Sequence, residues 1–310
     1  MRILLWHVHG SWTTGLVQGR HTYLVPVVPD RGPEGRGRAR TWQWPATVHE
    51  VTAEVAARSD IDVIILQRPE ELASLAEAWT GRRPGRDLPA VYVEHNTPEG
   101  AVESMTHPAA GRSDITVVHV THFNQLFWDT GRAPSVVIEH GIVDPGYRYR
   151  GSLPHAAVAI NDPLSRRRVT GADLLPGLAA AIPIDLFGMR SEPLGGRDLP
   201  QAELHEQMAA RRVYLHPNRW TSLGLSLVEA MHLGMPVVAV ASTAAAEAVP
   251  PGAGIVSSRL ETLTDGLRRL AGDPAEALEM GQAAREAALD RFGLKRFLDD
   301  WERLLEAVTA

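Results

Sequence analysis

The stretch from Val213 to Val240, VYLHPNRWTSLGLSLVEAMHLGMPVVAV, constrains this chain more than any other, because strand, loop, helix and strand signals follow one another without a gap. Val213, Tyr214 and Leu215 form a short apolar run closed by His216 and Pro217, so the chain leaves a sheet there. A loop with Arg219, Trp220, Thr221 and Ser222 leads to Gly224 and then to a helix whose apolar side carries Leu227, Val228, Met231 and Leu233. Gly234 and Pro236 stop that helix before a buried strand that ends at Val240. Ser226 and Glu229, three residues apart, share a less apolar side of the helix. The unit is one βαβ step of an α/β chain with a doubly wound parallel sheet.

Ligands of such sheets bind at the loops that leave the carboxyl ends of the strands, and the first free N–H groups of the following helix suit an anion. A carboxylate one turn further in would repel a phosphate. Glu229 is therefore suited to accept hydrogen bonds from hydroxyls beside the phosphate, such as those of a ribose.

The run LGLSLVEAMHLGMPVVAV resembles the donor-binding motif of the GT-B retaining glycosyltransferases of the GT4 type, described as E-x7-E. The resemblance implies two Rossmann-like doubly wound domains facing a central cleft, and transfer of a sugar from a nucleotide diphosphate sugar. It matches Glu229 to the second, ribose-binding glutamate, and Leu223, Gly224 and Leu225 to backbone that approaches the donor; Arg219, Ser222 and Ser226 join them as donor-side residues. Thr221 stands where the family has its first glutamate, so the usual contact to the donor hexose is altered here, and Thr221 is grouped with the reacting centre.

At 310 residues the chain accommodates two domains, each with its own core. Apolar residues at 44% and charged residues at 22% place it with globular proteins. A formal charge of -6 argues against a general nucleic-acid or membrane-surface role, so any phosphate site is a local basic pocket. The absence of cysteine excludes disulfides, thiolate metal sites and a cysteine nucleophile. No run approaches the roughly 20 apolar residues of a membrane helix and no signal-type segment precedes the first strand, so the chain reads as cytoplasmic.

In chain order, Arg2 to Val8 reads as a buried strand and His9, Gly10 and Ser11 as the loop after it. The resemblance puts Gly10 beside the donor and His9 and Ser11 on the acceptor side, although His7 and His9 alternate with apolar residues in a pattern that also fits core histidines. Thr22 to Val28 reads as a strand; Pro29 to Pro45 has no period and is either a loop shaping acceptor access or a plain mobile one. Val48 to Arg58 has helical spacing, Asp62 to Gln67 reads as a strand and Glu70 to Trp79 as a helix. The strand Ala90 to Val93 runs into Glu94, His95 and Asn96. A histidine there matches the family's active-site histidine, so the resemblance makes His95 catalytic and Asn96 an acceptor-side residue. Strands at Asp114 to Val120 and Ser135 to Ile138 flank a helix over Asn124 to Thr130, and Glu139 to Pro145 is similar to the family's N-G-v-D segment, with His140 where Asn is common.

The expected domains are residues 1–150 and 151–292, with residues 293–310 a terminal helix that the GT-B resemblance sends back to the first domain. In the second, Asn161 to Leu175 resembles the family's R…KG-x-dLL segment, whose cations grip the donor diphosphate. Asn161 and Thr170 sit near the two cationic places, and Arg166, Arg167 and Arg168 offer replacements, with Arg166 and Arg168 assigned to the donor. A solvated basic turn is the alternative. Among the thirteen histidines there is no HExxH pair, so the expected chemistry needs no metal and no cofactor beyond the nucleotide diphosphate sugar as co-substrate. The expected partners are that donor and a small-molecule or glycan acceptor. The alternatives are a degenerate GT-B protein that binds a nucleotide sugar or a partner, and a nucleotide-sugar epimerase. A phosphorylase is disfavoured, because Lys295 is the single lysine and lies in the last helix.

Overall fold

Runs such as RILL, VIIL and AVYVE leave almost no polar side chain to meet water on either face, which is the signature of strands covered on both sides of a parallel sheet. The computed structural model describes all residues 1–310, which divide into two units: Met1–Val143 together with Leu294–Ala310, and Asp144–Gly293.

In the first unit, strands β1 (Arg2–Leu5), β2 (Thr22–Pro26), β3 (Val48–Val51), β4 (Val63–Leu66), β5 (Ala90–Glu94), β6 (Thr116–His119) and β7 (Ser135–Val137) pair in the order β3-β2-β1-β4-β5-β6-β7. Every pairing is parallel. Helices α1 (Gly10–Leu16), α2 (Ala53–Arg58), α3 (Ala76–Thr80) and α4 (His122–Phe127) cover the sheet. The strand order reverses at β1 and β4, so the loops after those two strands flank a switch point, the usual ligand edge of such sheets.

The second unit contains β8 (Leu153–Ala159), β9 (Ile184–Phe187), β10 (Arg211–His216), β11 (Val237–Val240) and β12 (Gly254–Ser257), ordered β12-β11-β10-β8-β9 and again all parallel. Its helices are α5 (Arg167–Thr170), α6 (Leu175–Leu178), α7 (Gln201–Ala210), α8 (Leu225–Leu233), α9 (Ala245–Ala248), α10 (Leu260–Gly272) and α11 (Pro274–Arg291). Asp273 caps α11 by accepting from the N–H groups of Ala275 and Glu276. Here the reversal falls between β8 and β10. Val213 and Leu215 from β10, Val238 from β11 and Leu263, Leu267 and Leu270 from α10 fill the core on one face.

The last helix, α12 (Leu294–Thr309), belongs to the first unit, where Phe297, Trp301 and Leu305 form a buried stripe at helical spacing. Trp12 of α1 meets both aromatic rings edge-on. Gly141 is required beneath the helix, since a Cβ there would overlap the Phe297 ring. No helix is long and apolar enough to cross a membrane.

Three local expectations change. His9, Gly10 and Ser11 are not a free loop: His9 is the N-cap of α1 and its carbonyl accepts from Thr13 N at 2.8 Å. The Val48 to Arg58 segment is two elements, because Val48 and Val51 serve as ends of an edge strand and Thr52 caps α2 through Val55 N. Pro29 to Pro45 is pinned rather than structureless. Trp6 Nε1 donates to Glu34 O at 2.9 Å, Trp44 Nε1 to Thr14 Oγ1 at 2.8 Å, and Arg38 to the carbonyls of Pro45 and Trp44.

Candidate functional site

In the second unit the loops that leave β8 and β10 are pressed together at the switch point. Gly171, at φ +73°, has no room for a side chain because Pro217 lies against it. Val169 O accepts from the N–H groups of Arg219 and Trp220 at 2.9 and 3.1 Å, joining one loop to the other. The β10 loop is also fastened to the loop after β11: Thr243 Oγ1 donates to Thr221 O at 2.6 Å and Ser242 Oγ to Asn218 O at 2.8 Å. Thr221 Oγ1 accepts from Asn218 Nδ2 at 3.1 Å, so the residue at the altered family position is held within its own loop.

Gly224 ends this loop as the N-cap of α8, and no side chain caps the helix. A Cβ at Gly224 would run into the buried ring of His216, which explains glycine at the point where the chain turns from strand to helix. Burial pushes the His216 imidazole down to about 4. Ser222 and Leu223 are buried and Leu225 half-buried beside this turn.

Several of the expected donor residues make contacts within the fold. Ser226 is committed inside the fold: its hydroxyl accepts from Tyr214 at 2.8 Å and reaches Ala159 O at 3.4 Å. Arg219 binds both oxygens of Asp173, at 2.6 and 3.1 Å, and donates to Arg168 O at 3.1 Å. The Arg219 guanidinium holds the Asp173 carboxyl below its usual range. Arg168 is exposed and lies 3.8 Å from the same carboxylate, so Asp173 engages two of the three expected donor cations. Arg166, at the start of α5, is exposed. Glu229 is not on a solvated side of α8: it is 5% exposed, and its Oε2 accepts from Gln201 Nε2 of α7 at 3.0 Å. Gln201 and His205 carried no signal in the sequence, since their roles rest on contacts between separate elements, whereas Asp173 lies in the segment that resembles R…KG-x-dLL but its pairing with Arg219 was not legible there.

In the first unit the ends of β1, β4 and β5, neighbours in the sheet, bring together His9, Gln67 and His95. The His9 and His95 rings lie 4.1 Å apart, and Trp12 meets His95 edge-on at 4.9 Å. The tautomer of His95 follows from a chain of bonds. Gln67 Nε2 donates to Trp6 O at 2.7 Å, which turns Oε1 of the same amide toward His95 Nε2 at 3.1 Å. The proton of His95 is therefore on Nε2, and Nδ1 carries the lone pair. Gln67 is itself anchored, its N–H donating at 2.7 Å to the buried Glu71, which Arg68 binds at 2.6 Å. Burial, then His9 and His140, hold the His95 imidazole well below its ordinary value. Burial, His9 and Arg296 push His140 down to about 3.

Gly10 has Trp42 Nε1 3.3 Å from where its Cβ would be, so the pinned loop covers the backbone expected beside the donor. Ser11 is half-buried in the first turn of α1. Asn96 is exposed at the end of β5, with its N–H donating to Glu94 Oε1 at 2.6 Å and its carbonyl accepting from Trp128 Nε1 at 3.0 Å. Gln67 is the residue that sequence reasoning missed; its position just past β4 at the strand-order reversal was the available signal.

Residues 196–287, which span α7 to most of α11, match the family described as glycosyl transferases group 1. No curated protein matches the sequence. Among solved structures, sucrose-phosphate synthase from Thermosynechococcus elongatus is similar at 14% identity, covering 99% of this chain and 98% of that chain with a TM-score of 0.75. HepE from Anabaena, in complex with UDP-glucose, is similar at 17% identity, covering 99% of this chain and 100% of that chain with a TM-score of 0.72. A glycosyltransferase from Rickettsia africae covers 99% of this chain and 98% of that chain at 14% identity and a TM-score of 0.62. The chain thus has the fold of the GT-B glycosyltransferases over nearly its whole length, with a glycosyl transferases group 1 segment where its second unit builds the β10 loop and α8.

Proposed function

We propose that the protein is a retaining glycosyltransferase that moves a sugar from a nucleoside diphosphate sugar to a hydroxyl-bearing acceptor without a divalent metal. One coincidence carries the reading. The family match takes in β10, the loop after it and α8 on one side of the β8 and β10 switch point, and these elements supply the uncapped N-terminus of α8 and the buried carboxylate of Glu229. HepE, which shares the fold, holds UDP-glucose, so a uridine nucleotide is the first donor to try.

In this reading the diphosphate lies at the N-terminus of α8 with the exposed Arg166 assigned to it, and Glu229 accepts from the ribose hydroxyls. The acceptor oxygen bonds to the anomeric carbon on the face from which the diphosphate oxygen leaves. The bond from that carbon to the diphosphate breaks, and the acceptor proton passes to the departing oxygen. The sugar keeps its anomeric configuration. Chemistry of this kind asks little covalent work of the protein and much of its fixed charges and dipoles. His95, with Nδ1 as acceptor, is assigned to a hydroxyl of the transferred sugar or of the acceptor.

The test is a thermal-shift panel of nucleoside diphosphates and nucleotide sugars with and without EDTA, followed by assay of nucleotide release with candidate acceptors. A ligand at about 100 times its dissociation constant should add roughly 2.7 kcal/mol of stability. Binding and turnover that persist in EDTA, with retained anomeric configuration in the product, are expected. Nucleotide-sugar binding without turnover on any acceptor would instead favour a binding protein, a reading that Thr221 in place of the first motif glutamate also suggests. Sugar turnover without acceptor would favour an epimerase.

A further inference from the structure

The contact between α7 and α8 contains a polar cluster that the transfer reaction does not by itself require. Gln201 and His205 are one turn apart on α7 and project toward Glu229. Gln201 Nε2 lies 3.0 Å from Glu229 Oε2 and 2.7 Å from His205 Nε2, whereas His205 Nε2 is 3.4 Å from the same carboxylate oxygen. His205 and Glu229 are 7% and 5% exposed, so water does not substitute for these contacts at will.

The distances select one arrangement of hydrogens. An amide nitrogen has two hydrogens, and both partners of Gln201 Nε2 lie within bonding range. One hydrogen goes to Glu229 Oε2 and the other to His205 Nε2, which then acts as acceptor with its proton on Nδ1. The short contact is the one between Gln201 and His205, and the long one is between His205 and the carboxylate. Gln201 is therefore the donor to Glu229, and His205 holds the Gln201 amide with its nitrogen turned toward that carboxylate. A buried carboxylate with a fixed donor on one oxygen has lost its freedom to rotate, which is what recognition of a vicinal diol demands.

We infer that Gln201, oriented by His205, is a positioning residue that sets the Glu229 carboxylate for a ribose diol, so that the α7 pair controls nucleotide affinity through the 2′ and 3′ hydroxyls alone. This inference rests on the reading of Glu229 as the ribose acceptor. It goes beyond that reading by tying the nucleotide site to a helix that touches it through no residue of the family motif.

The test compares binding of UDP with that of 2′,3′-dideoxy-UDP by calorimetry, in the full chain and in Glu229→Ala, Gln201→Leu, His205→Ala and His205→Gln. The native protein should bind the dideoxy nucleotide about tenfold or more weakly, and Glu229→Ala should bind both nucleotides alike. Gln201→Leu should weaken UDP severalfold and leave the dideoxy nucleotide unchanged. His205→Ala should act in the same direction, and His205→Gln, whose amide oxygen can accept the same hydrogen, should restore UDP binding. Gln201 is half-exposed at the first position of its helix, and Gln201→Glu, which keeps the size and removes the donor, gives the same comparison should the leucine variant fold poorly. If the native protein binds neither nucleotide, or both alike, or if Glu229→Ala still discriminates, the ribose reading of Glu229 fails and this inference with it. If Glu229→Ala abolishes discrimination while Gln201→Leu and Gln201→Glu discriminate as the native protein does, Glu229 keeps its role and the positioning pair is refuted.

Discussion

The imidazole rings of His9 and His95 lie 4.1 Å apart and 40° from parallel, at the ligand edge of the first sheet. His95 is buried with the half-buried His9 beside it, and burial first and then His9 disfavour a proton on His95, which leaves it an uncharged hydrogen-bonding group whose lone pair is on Nδ1. His95→Ala should lower turnover about 10- to 100-fold, the range expected when a hydrogen bond worth about 1.5–3 kcal/mol disappears from the reacting centre. Nucleoside diphosphate affinity should stay within twofold of native, as a rough bound, because the elements proposed to hold the nucleotide belong to the other unit. Gln67→Leu removes the acceptor that fixes the ring and should reproduce part of the loss. Single-turnover rates and calorimetry on both variants decide the matter; a Gln67→Leu enzyme with native turnover would show that the tautomer is irrelevant.

Buried histidines also set the response to acid. His140 is pushed to about 3 and His119 to about 4, both mainly by burial, and His95 is held well below its ordinary value. These folded-state values lie below the unfolded value of about 6.5, so between the two only the unfolded chain takes up the proton. Stability is fully present above pH 6.5 and is lost as the pH falls toward the folded values. At pH 5.5 His140 and His119 each cost about 1.4 kcal/mol, or about 3 kcal/mol together, and His95 acts in the same direction. Carboxylates paired with arginine, such as Asp114, lose their contribution only at lower pH. Urea midpoints for the first unit should therefore drop clearly between pH 7.5 and 5.5, and equal midpoints would contradict the burial of these rings as neutral groups.

The basic loops of the second unit carry one arginine that ties them together and one that is exposed. Arg219 is spent on Asp173 and on Arg168 O, whereas Arg166 is exposed on the same loop pair. Arg219→Ala should lower the melting temperature, because it unties the loops after β8 and β10 and leaves Asp173 short of its bidentate partner. Arg166→Ala should leave the melting temperature nearly unchanged and weaken nucleoside diphosphate binding about tenfold. The opposite pattern, with Arg166 structural and Arg219 controlling affinity, would return Arg219 to the diphosphate.

What could be read from residue order alone divides along the line between local and tertiary causes. Helix α8 and strand β11 were legible because an apolar run, a stop at Gly234 and a second apolar run are local signals, and Gly234 does adopt φ +86°. Helix α1 was not legible. Gly10, Thr13, Thr14 and Gly15 are poor helix formers, and the helix persists because Trp12 and Leu16 are buried and Gly15 packs against Gly141 O. Strand β3 was hidden because Val48 and Val51, three apart, fit a helix as well as the ends of a short edge strand. The site shows the same division. Glu229 and His95 sit at positions that a motif marks, but the commitment of Arg219 to Asp173 and of Ser226 to Tyr214 depends on residues 46 and 12 positions away, and no periodicity encodes such pairs.

The last prediction concerns Thr221. A glutamate at this place could accept from two sugar hydroxyls as an ion, whereas threonine has one hydroxyl, and here that oxygen already accepts from Asn218 Nδ2 at 3.1 Å. Its carbonyl is engaged by Thr243 Oγ1, so the loop cannot shift to offer more without breaking its tie to the β11 loop. The position should therefore contribute little to recognition of the transferred sugar. Nucleotide sugars that differ only at the third and fourth hydroxyls should bind within about threefold of one another, well under the tenfold or more that a charge-assisted bond of about 1.5–3 kcal/mol would supply. Thr221→Glu should widen that spread, since Thr221 is half-buried at the loop surface and a carboxylate there gains two acceptor oxygens. The measurement is a set of dissociation constants for the bare nucleoside diphosphate and four epimeric nucleotide sugars, in the native protein and in Thr221→Glu. A native protein that already separates the epimers by more than tenfold would show that other groups, with Ser222 and the backbone of Leu223 to Leu225 nearest in the chain, have taken over the role of the missing glutamate.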